Sequence, residues 1–325
     1  MKVHILDDWF DTLRGLPCFA KLEGHDVTVW TDHLDDPEAL ALRLREAEAL
    51  VLFRERTPVT RDLLQRLPNL RLISQRGVYP HVDVQACTDQ GVVLSSNTGA
   101  DGPNYAAAEL TLALMLAAMR QLPQQMASVK AGQWQMGVGR TLRGRSLGIW
   151  GYGRIGGALA GYARALGMQV VWWGSEASLD RARAAGETVA ASRQAFFAQS
   201  DIVSLHLRLT PATKGLVTAE DLAAMKPGSV LVNTSRAGLI APGALLAALN
   251  AGRPGMAAID VFDEEPQTDP ADPLLSHPGL IATPHIGFVT EDEFDKQFGD
   301  AFDQINAFAQ GAPIHVVNPE ALGAS

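Results

Sequence analysis

The sequence contains little cysteine and no block of basic residues. Two cysteines, Cys18 and Cys87, occur in 325 residues. That is too few for a disulfide framework or a cysteine-based zinc site, so we expect a reducing compartment, the cytoplasm, and no metal. The 27 lysine and arginine residues are outnumbered by 36 aspartate and glutamate residues, for a net charge of −9. A nucleic-acid partner or an anionic membrane surface would need clustered positive charge, so neither is expected.

Long hydrophobic runs are also missing. The longest apolar stretch, residues 106–119, contains Glu109 and is shorter than the roughly 20 residues that span a membrane. Asp7 and Asp8 interrupt the N-terminal apolar run too early for a signal peptide. Apolar residues nevertheless make up 47% of the chain, which supplies a large core and excludes disorder and coiled coils. At roughly 150 residues per domain, the length predicts two domains of a soluble globular protein.

Short apolar runs alternate with helical patterns along almost the whole chain. The runs are apolar throughout rather than alternating, which is typical of parallel strands covered by helices on both faces. The pattern therefore predicts an α/β fold with two doubly wound parallel-sheet domains. The predicted strands are residues 3–6, 27–30, 50–53, 70–73 and 92–94 in the first series, and 146–150, 169–173, 202–207, 229–233, 257–261 and 280–282 in the second.

The series is interrupted by a loop at residues 97–103 that is rich in glycine, asparagine and aspartate. Pro103 suits the first turn of a helix. The helix that follows, to about Arg120, is apolar around most of its circumference, as expected for a connector between domains. A helical pattern at residues 291–310 carries phenylalanines at three- and four-residue spacing, which we interpret as packing against the first domain.

A glycine-rich turn follows a predicted strand directly and opens a predicted helix, a context that favours dinucleotide binding over a plain turn. Gly151 would allow the tight turn, Gly153 the approach of a pyrophosphate, and Gly156 the packing of helix on strand. The pyrophosphate would meet the positive end of the helix at N–H groups such as that of Ile155, with Arg154 as a neighbouring cation.

About 20 residues after such a glycine turn, a carboxylate at the tip of the next strand usually binds the ribose hydroxyls. This sequence has no carboxylate at that tip. Gly174 and Ser175 occupy the tip, and Glu176 follows. We expect Gly174 and Ser175 to lie beside the cofactor. Neither a carboxylate nor an arginine stands at the tip, so the sequence leaves both NAD and NADP open.

Three later strands each end in a polar segment, at residues 233–238, 260–266 and 283–288. In an open α/β sheet, ligands bind outside the carboxyl ends of the strands, so these segments are expected to face the cofactor. With the glycine turn and residues 225–228, they resemble the D-isomer-specific 2-hydroxyacid dehydrogenase family. Glyoxylate/hydroxypyruvate reductases and phosphoglycerate dehydrogenases belong to that family, and the resemblance spans essentially the whole chain. It implies that Arg236, Glu265 and His285 are catalytic.

The resemblance also implies the cofactor contacts and the domain roles. Asp260 would bind the nicotinamide carboxamide, and Thr234 with Ser235 would line the cofactor. His206 ends a strand and would approach the nucleotide, with a structural histidine as the alternative. We expect a Rossmann dinucleotide-binding domain, residues 101–290, inserted into a flavodoxin-like substrate domain, residues 1–100 completed by 291–325. The reaction would lie in the cleft between them, in a homodimer.

The chemistry of the three residues agrees with reduction of a small 2-keto acid to a D-2-hydroxy acid. Imidazole titrates near neutral pH, so His285 is a suitable acid for the carbonyl oxygen. Glu265 would stabilise the imidazolium, keeping the proton available. Arg236 can bind the substrate carboxylate through its planar fork and polarise the carbonyl.

Further substrate contacts are expected in the first domain. Backbone N–H groups of Val78 and Tyr79 would bind the substrate carboxylate, although a Tyr-Pro-His run replaces the family's usual glycine turn there. Phe288 would line an apolar part of the pocket. Arg76 is expected either to add a second cation or to form an ion pair, and Trp134 to pack at the domain interface.

Three alternatives stay open at this point. Formate oxidation on the same fold would need an asparagine pattern that the sequence lacks before the connecting helix. A nucleotide-sensing regulator would need only the nucleotide contacts, whereas all three catalytic types are present. Phosphoglycerate oxidation fits the motifs, but the chain stops at Ser325, so we expect no appended regulatory domain.

Overall fold

The computed structural model describes residues 1–99 and 105–323, which divide into two compact units. Unit 1 comprises Met1–Asp101 and Thr290–Ser325, and unit 2 comprises Gly102–Val289. Pro103 and most of the loop in which we expected the boundary lie outside the described residues.

Unit 1 is built on a five-stranded parallel sheet with the order β2-β1-β3-β4-β5. This is the flavodoxin-like order. Its helices start at side chains that accept a hydrogen bond from a backbone N–H of the first turn, as Asp36 does from Ala39 at 3.0 Å. The strands are β1 (Lys2–Ile5), β2 (Asp26–Val29), β3 (Ala49–Val51), β4 (Leu72–Arg76) and β5 (Val93–Asn97), and the helices are α1 (Pro37–Leu44), α2 (Arg61–Gln65) and α3 (Val84–Asp89), with 3₁₀ segments Leu13–Gly15, Pro17–Leu22 and Pro319–Gly323.

Helix α11 (Glu291–Ala309) belongs to unit 1 and packs against β4. The predicted aromatic stripe is its buried face: Phe294, Phe298 and Phe302 are each at most 5% exposed. The Ser74 hydroxyl of β4 donates to the Ala301 carbonyl oxygen of α11 at 2.8 Å. The expected packing role of this helix is therefore confirmed.

Unit 2 is built on a six-stranded parallel sheet with the order β11-β10-β9-β8-β6-β7. A parallel bridge between Trp172 of β7 and Val189 adds one position beyond β7. With that bridge counted as a strand, the order is that of a Rossmann fold. The strands are β6 (Ser146–Trp150), β7 (Gln169–Trp173), β8 (Ile202–Leu205), β9 (Val230–Asn233), β10 (Met256–Ile259) and β11 (Leu280–Ala282).

Helices cover both faces of the unit 2 sheet. Leu147 and Ile149 of β6 belong to one buried cluster and Trp150 to the other, so successive side chains of the strand enter opposite cores. The expected packing of Trp134 is wrong, because its side chain is 76% exposed. No helix in the described ranges has the length and apolarity to cross a membrane. The helices are α4 (Tyr105–Arg120), α5 (Leu122–Lys130), α6 (Arg154–Ala165), α7 (Glu176–Ala184), α8 (Arg193–Gln199), α9 (Ala219–Ala224) and α10 (Ala244–Asn250), with a 3₁₀ segment at Ala237–Leu239.

Candidate active site

The glycine turn between β6 and α6 has the shape that a dinucleotide needs. Gly151 has φ +115°, and a Cβ there would lie 2.3 Å from the His206 carbonyl oxygen, so only glycine fits. A Cβ at Gly156 would lie 2.8 Å from the Gly151 carbonyl oxygen, so glycine lets α6 pack on the strand. Gly153 precedes α6 and faces open space. Arg154 and Ile155 form the first turn of this 12-residue helix, whose N–H groups suit a pyrophosphate.

The tip of β7 runs directly into α7. Ser175 is the N-cap of this helix, and its hydroxyl oxygen accepts a hydrogen bond from the Ser178 N–H at 3.4 Å. A Cβ at Gly174 would lie 3.2 Å from the Ser178 Cβ. The two residues expected beside the cofactor therefore lie at the start of α7, with Ser178 one turn on.

Three other expected cofactor contacts are held by neighbours within unit 2. The Thr234 hydroxyl lies 2.8 Å from that of Thr111, and the Ser235 hydroxyl donates to the Leu207 carbonyl oxygen at 2.5 Å. The His206 Nε2 lies 2.8 Å from the Ser204 hydroxyl. Burial lowers the pKa of His206 to about 4, so the ring is neutral near pH 7.

His285 and Glu265 form the central pair of the site. Nδ1 of His285 lies 2.5 Å from Oε2 of Glu265, whose Oε1 accepts from the Phe262 N–H at 2.9 Å. Burial alone would raise the pKa of Glu265, but these two hydrogen bonds and the charges of His285 and Arg236 outweigh it and lower the pKa. An ionised carboxylate only accepts, so it accepts a hydrogen bond from the Nδ1–H of His285, and Nε2 is the nitrogen that can exchange a proton with a substrate.

Arg236 lies at the carboxyl end of β9, beside the strand that leads to Glu265. Its Nη1 donates to the Ser235 carbonyl oxygen at 2.7 Å, and its own carbonyl oxygen accepts from Asn233 Nδ2 at 2.9 Å. The strands β9, β10 and β11 are neighbours in the sheet, so the three residues expected to be catalytic follow adjacent strand ends. Glu264, the neighbour of Glu265, instead lines a separate cavity of about 430 Å³.

Asp260 holds the loop that carries His285. Its side chain is fully buried, and Oδ1 accepts from the Thr283 hydroxyl at 2.5 Å and the Ile286 N–H at 2.8 Å, while Oδ2 accepts from the Gly287 N–H at 2.8 Å. Burial raises the pKa of Asp260 despite these hydrogen bonds. His285 has φ +54°, an unusual value for a residue with a side chain. The hydrogen bonds of Asp260 to residues before and after His285 hold the loop in this conformation.

Phe288 lies against the imidazole of His285. Its ring meets the His285 ring edge to face, with 5.7 Å between the centroids and an interplanar angle of 89°. The structure thus brings Phe288 to the position where we expected an apolar wall.

Unit 1 carries the loop in which Val78 and Tyr79 were expected to bind a carboxylate. Gln75 Nε2 donates to the Val78 carbonyl oxygen at 3.2 Å, and the Ser96 hydroxyl donates to the Gly77 carbonyl oxygen at 2.7 Å. These bonds turn the carbonyls inward. The N–H groups of Val78 and Tyr79 have no hydrogen-bond partner among the described residues.

Arg76 does not supply a second cation to this loop. Its Nη1 lies 3.0 Å from Oδ2 of Asp300, and its side chain is 14% exposed. The ion pair expected as the alternative is therefore the one observed.

Sequence reasoning missed one polar residue in each unit, Gln75 in unit 1 and Arg181 in unit 2. Gln75 is buried at the end of β4, and Arg181 reaches back from α7 to the glycine turn. The signal for Gln75 was a glutamine close behind the apolar run that starts the strand. For Arg181, Ser175, Ser178 and Arg181 recur every three residues, which places them near one face of the helix. No group of three or more potential metal ligands occurs in the part of the chain that the structure describes.

Comparisons with known proteins agree with this geometry. Residues 112–287 match the family described as D-isomer specific 2-hydroxyacid dehydrogenase, NAD binding domain. The crystal structure of a phosphoglycerate oxidoreductase from Vibrio cholerae O395 is similar at 47% identity and a TM-score of 0.89, covering 96% of this chain and 100% of that one. A glyoxylate reductase from Aeropyrum pernix is 34% identical over 92% of this chain and 91% of its own length.

A D-3-phosphoglycerate dehydrogenase from Methanocaldococcus jannaschii is 37% identical over 78% of this chain. The match covers 48% of that protein. The chain thus spans about half the length of this relative.

Proposed function

The chain belongs to the D-isomer specific 2-hydroxyacid dehydrogenase family, and on this premise we propose that it interconverts a small 2-keto acid and a D-2-hydroxy acid with NAD(P). The observation that carries the proposal is the 2.5 Å contact between His285 Nδ1 and Glu265 Oε2. This contact sets up an imidazole whose other nitrogen can move a proton. Neither a nucleotide sensor nor a formate dehydrogenase needs such an acid.

A bound reduced nicotinamide cofactor would supply the hydride to the carbonyl carbon. Arg236 binds the substrate carboxylate and polarises the carbonyl, where negative charge develops. Nε2 of His285 gives its proton to the carbonyl oxygen, and in the reverse direction the neutral ring takes the hydroxyl proton. Glu265 stabilises the protonated imidazolium form of His285 before the proton is transferred.

Unit 2 is the proposed dinucleotide domain and unit 1 the proposed substrate domain. In unit 2 the glycines, Arg154 and Ile155 would hold the pyrophosphate. The Gly174–Ser175 tip would meet the adenosine ribose, and the strand ends at His206, Thr234 and Ser235 would line the nucleotide. Asp260 would bind the carboxamide through its remaining acceptor capacity, since its two oxygens accept three hydrogen bonds.

In unit 1, the N–H groups of Val78 and Tyr79 would donate hydrogen bonds to the substrate carboxylate. In unit 2, Phe288 is the apolar wall beside His285. The names of the relatives make glyoxylate, hydroxypyruvate and phosphohydroxypyruvate the first compounds to assay.

We also propose that the protein is a cytoplasmic homodimer. The free thiols of Cys18 and Cys87 support a reducing compartment. An exposed apolar surface runs from α5 into the following segment, with Trp134 76% and Val138 93% exposed. A surface of this kind is typical of an interface with a second copy of the chain. Light scattering on the wild type and on Trp134→Ser would test it, since the variant should shift mass towards the monomer.

Turnover assays test the reaction directly. Loss of nicotinamide absorbance should be followed with NADH and with NADPH against glyoxylate, hydroxypyruvate, pyruvate, phenylpyruvate and phosphohydroxypyruvate. We expect oxidation with at least one of these acids and production of the D-isomer. Nucleotide binding without turnover on any of them would contradict the proposal and favour a regulator.

A further inference from the structure

We propose that Arg181 binds the 2′-phosphate of NADPH, with Ser175 and Ser178 beside it, and that the enzyme prefers NADPH to NADH. The inference rests on the proposed function, because it concerns the cofactor of that reaction. The subsite lies wholly within unit 2.

The first observation is that the two carboxylates of the helix after the β7 tip already share one arginine. Selection of NAD uses a carboxylate at this tip, which binds the ribose hydroxyls and repels a 2′-phosphate. Gly174 stands there instead. The two acidic residues of the adjoining helix both face Arg183: its Nη1 lies 3.6 Å from Glu176 Oε2 and 2.7 Å from Asp180 Oδ1.

The second observation is the position of Arg181. Its Nη2 donates to the Tyr152 carbonyl oxygen of the glycine turn at 3.3 Å and to the Ser178 hydroxyl at 3.4 Å. Ser178 in turn lies close to Gly174, since a Cβ added at Gly174 would be 3.2 Å from the Ser178 Cβ. The guanidinium therefore lies between the glycine turn and the strand tip, where a Rossmann fold binds the adenosine ribose.

The third observation is that donors remain there for a phosphate. Arg181 is exposed, and its Nε and Nη1 have no partner among the residues described. Ser175 uses its oxygen to cap α7, which leaves its O–H proton as a donor. A planar guanidinium whose Nε–H and Nη1–H groups have no partner among the described residues, with a neighbouring hydroxyl, matches a dianionic phosphate better than a neutral ribose hydroxyl.

The local sequence explains why this arginine is here. Ser175 starts α7 one residue after the tip, so Ser178 and Arg181 follow at spacings of three on a neighbouring face. A residue seven positions beyond Gly174 thus supplies the cation that the tip itself lacks.

Calorimetry with adenosine 2′,5′-bisphosphate and 5′-AMP tests the subsite without turnover. The wild type should bind the bisphosphate at least ~10-fold more tightly, as expected for a charge-assisted contact. Arg181→Gln should weaken the bisphosphate by roughly 10- to 100-fold and leave 5′-AMP unchanged. Arg253→Gln makes the same charge change in an exposed loop before β10, at the opposite edge of the sheet, and should leave both affinities unchanged.

A second variant is designed to shift the cofactor preference from NADPH towards NADH. Gly174→Asp restores the missing carboxylate and should raise the KM for NADPH relative to NADH. A wild type that binds both nucleotides alike, or an Arg181→Gln protein that loses both equally, would overturn the inference. Turnover confined to NADH would also overturn it while leaving the proposed reaction intact. Selective binding of the bisphosphate without any turnover would support the Arg181 subsite and contradict the proposed reaction.

Discussion

Oδ2 of Asp260 accepts a hydrogen bond from the Gly287 N–H at 2.8 Å, two residues beyond His285. The other oxygen of the same carboxylate accepts from Thr283 and Ile286. A buried acid on one strand end thus fixes the loop that carries the proposed proton donor, His285, on the next. Asp260 therefore positions this loop, in addition to its proposed contact with the carboxamide.

The proton donor itself should be replaceable without loss of nucleotide binding. His285→Gln keeps a polar side chain of similar size but removes the titrating ring, so we expect kcat to fall by ~100-fold or more. The dissociation constant for the cofactor, measured by fluorescence, should not change. Near-normal turnover in this variant would remove His285 from the mechanism.

Because Asp260 holds the loop of His285, a substitution of Asp260 should also affect proton transfer. In Asp260→Asn one amide N–H₂ faces the buried donors of the loop, which leaves at least one of them unpaired and costs about 1–3 kcal/mol of stability. We expect a lower melting temperature and a lower kcat, because the loop of His285 shifts. Asp263→Asn, an exposed change in the neighbouring segment, is the matched control and should change neither quantity.

Gln75 should act on substrate binding alone. Gln75→Leu preserves volume but removes the donor to the Val78 carbonyl oxygen, so the loop N–H groups that are proposed to bind the carboxylate lose their orientation. We expect the KM for the keto acid to rise by ~10-fold, with the cofactor dissociation constant unchanged. Gln85→Leu, which removes only an exposed contact to Asp89, should behave as the wild type. An unaltered KM in Gln75→Leu would argue against this role.

His206 should make stability depend on pH. Its pKa is about 4 in the folded protein, against about 6.5 for an ordinary histidine, so between these values the unfolded chain binds more protons. Folding stability therefore rises with pH through this window and is lost as pH falls from 6.5 towards 4. Denaturant titrations of the wild type and His206→Asn across the window should converge at low pH. Parallel profiles for the two proteins would contradict the buried neutral ring.

The strands were predictable because their interiors are apolar, and their polar ends were not. β6, β7 and β11 have the predicted bounds. β4 and β5 continue to Arg76 and Asn97, beyond the predicted ends, because parallel pairing carries them through polar residues that a hydrophobic pattern excludes. Trp134 was misjudged for the opposite reason, since a large aromatic side chain is usually buried.

The candidate site divides in the same way. Strand-end motifs pointed to Arg236, Glu265 and His285 because their types and order carry the chemistry. The three hydrogen bonds of Asp260 and the reach of Arg181 depend on loop and helix geometry, which spacing alone does not determine. Sequence reasoning therefore predicted candidate residues for the reaction more readily than the residues that position them.

The place of α11 bears on how the protein is made. Unit 2 is continuous in sequence, so its core is complete as soon as the ribosome has released it. Unit 1 lacks the phenylalanine face of α11 until synthesis has passed residue 309, although its five strands emerge first. The nascent protein therefore carries a half-covered sheet through the synthesis of nearly two hundred further residues, and chaperone demand should be greatest during that interval.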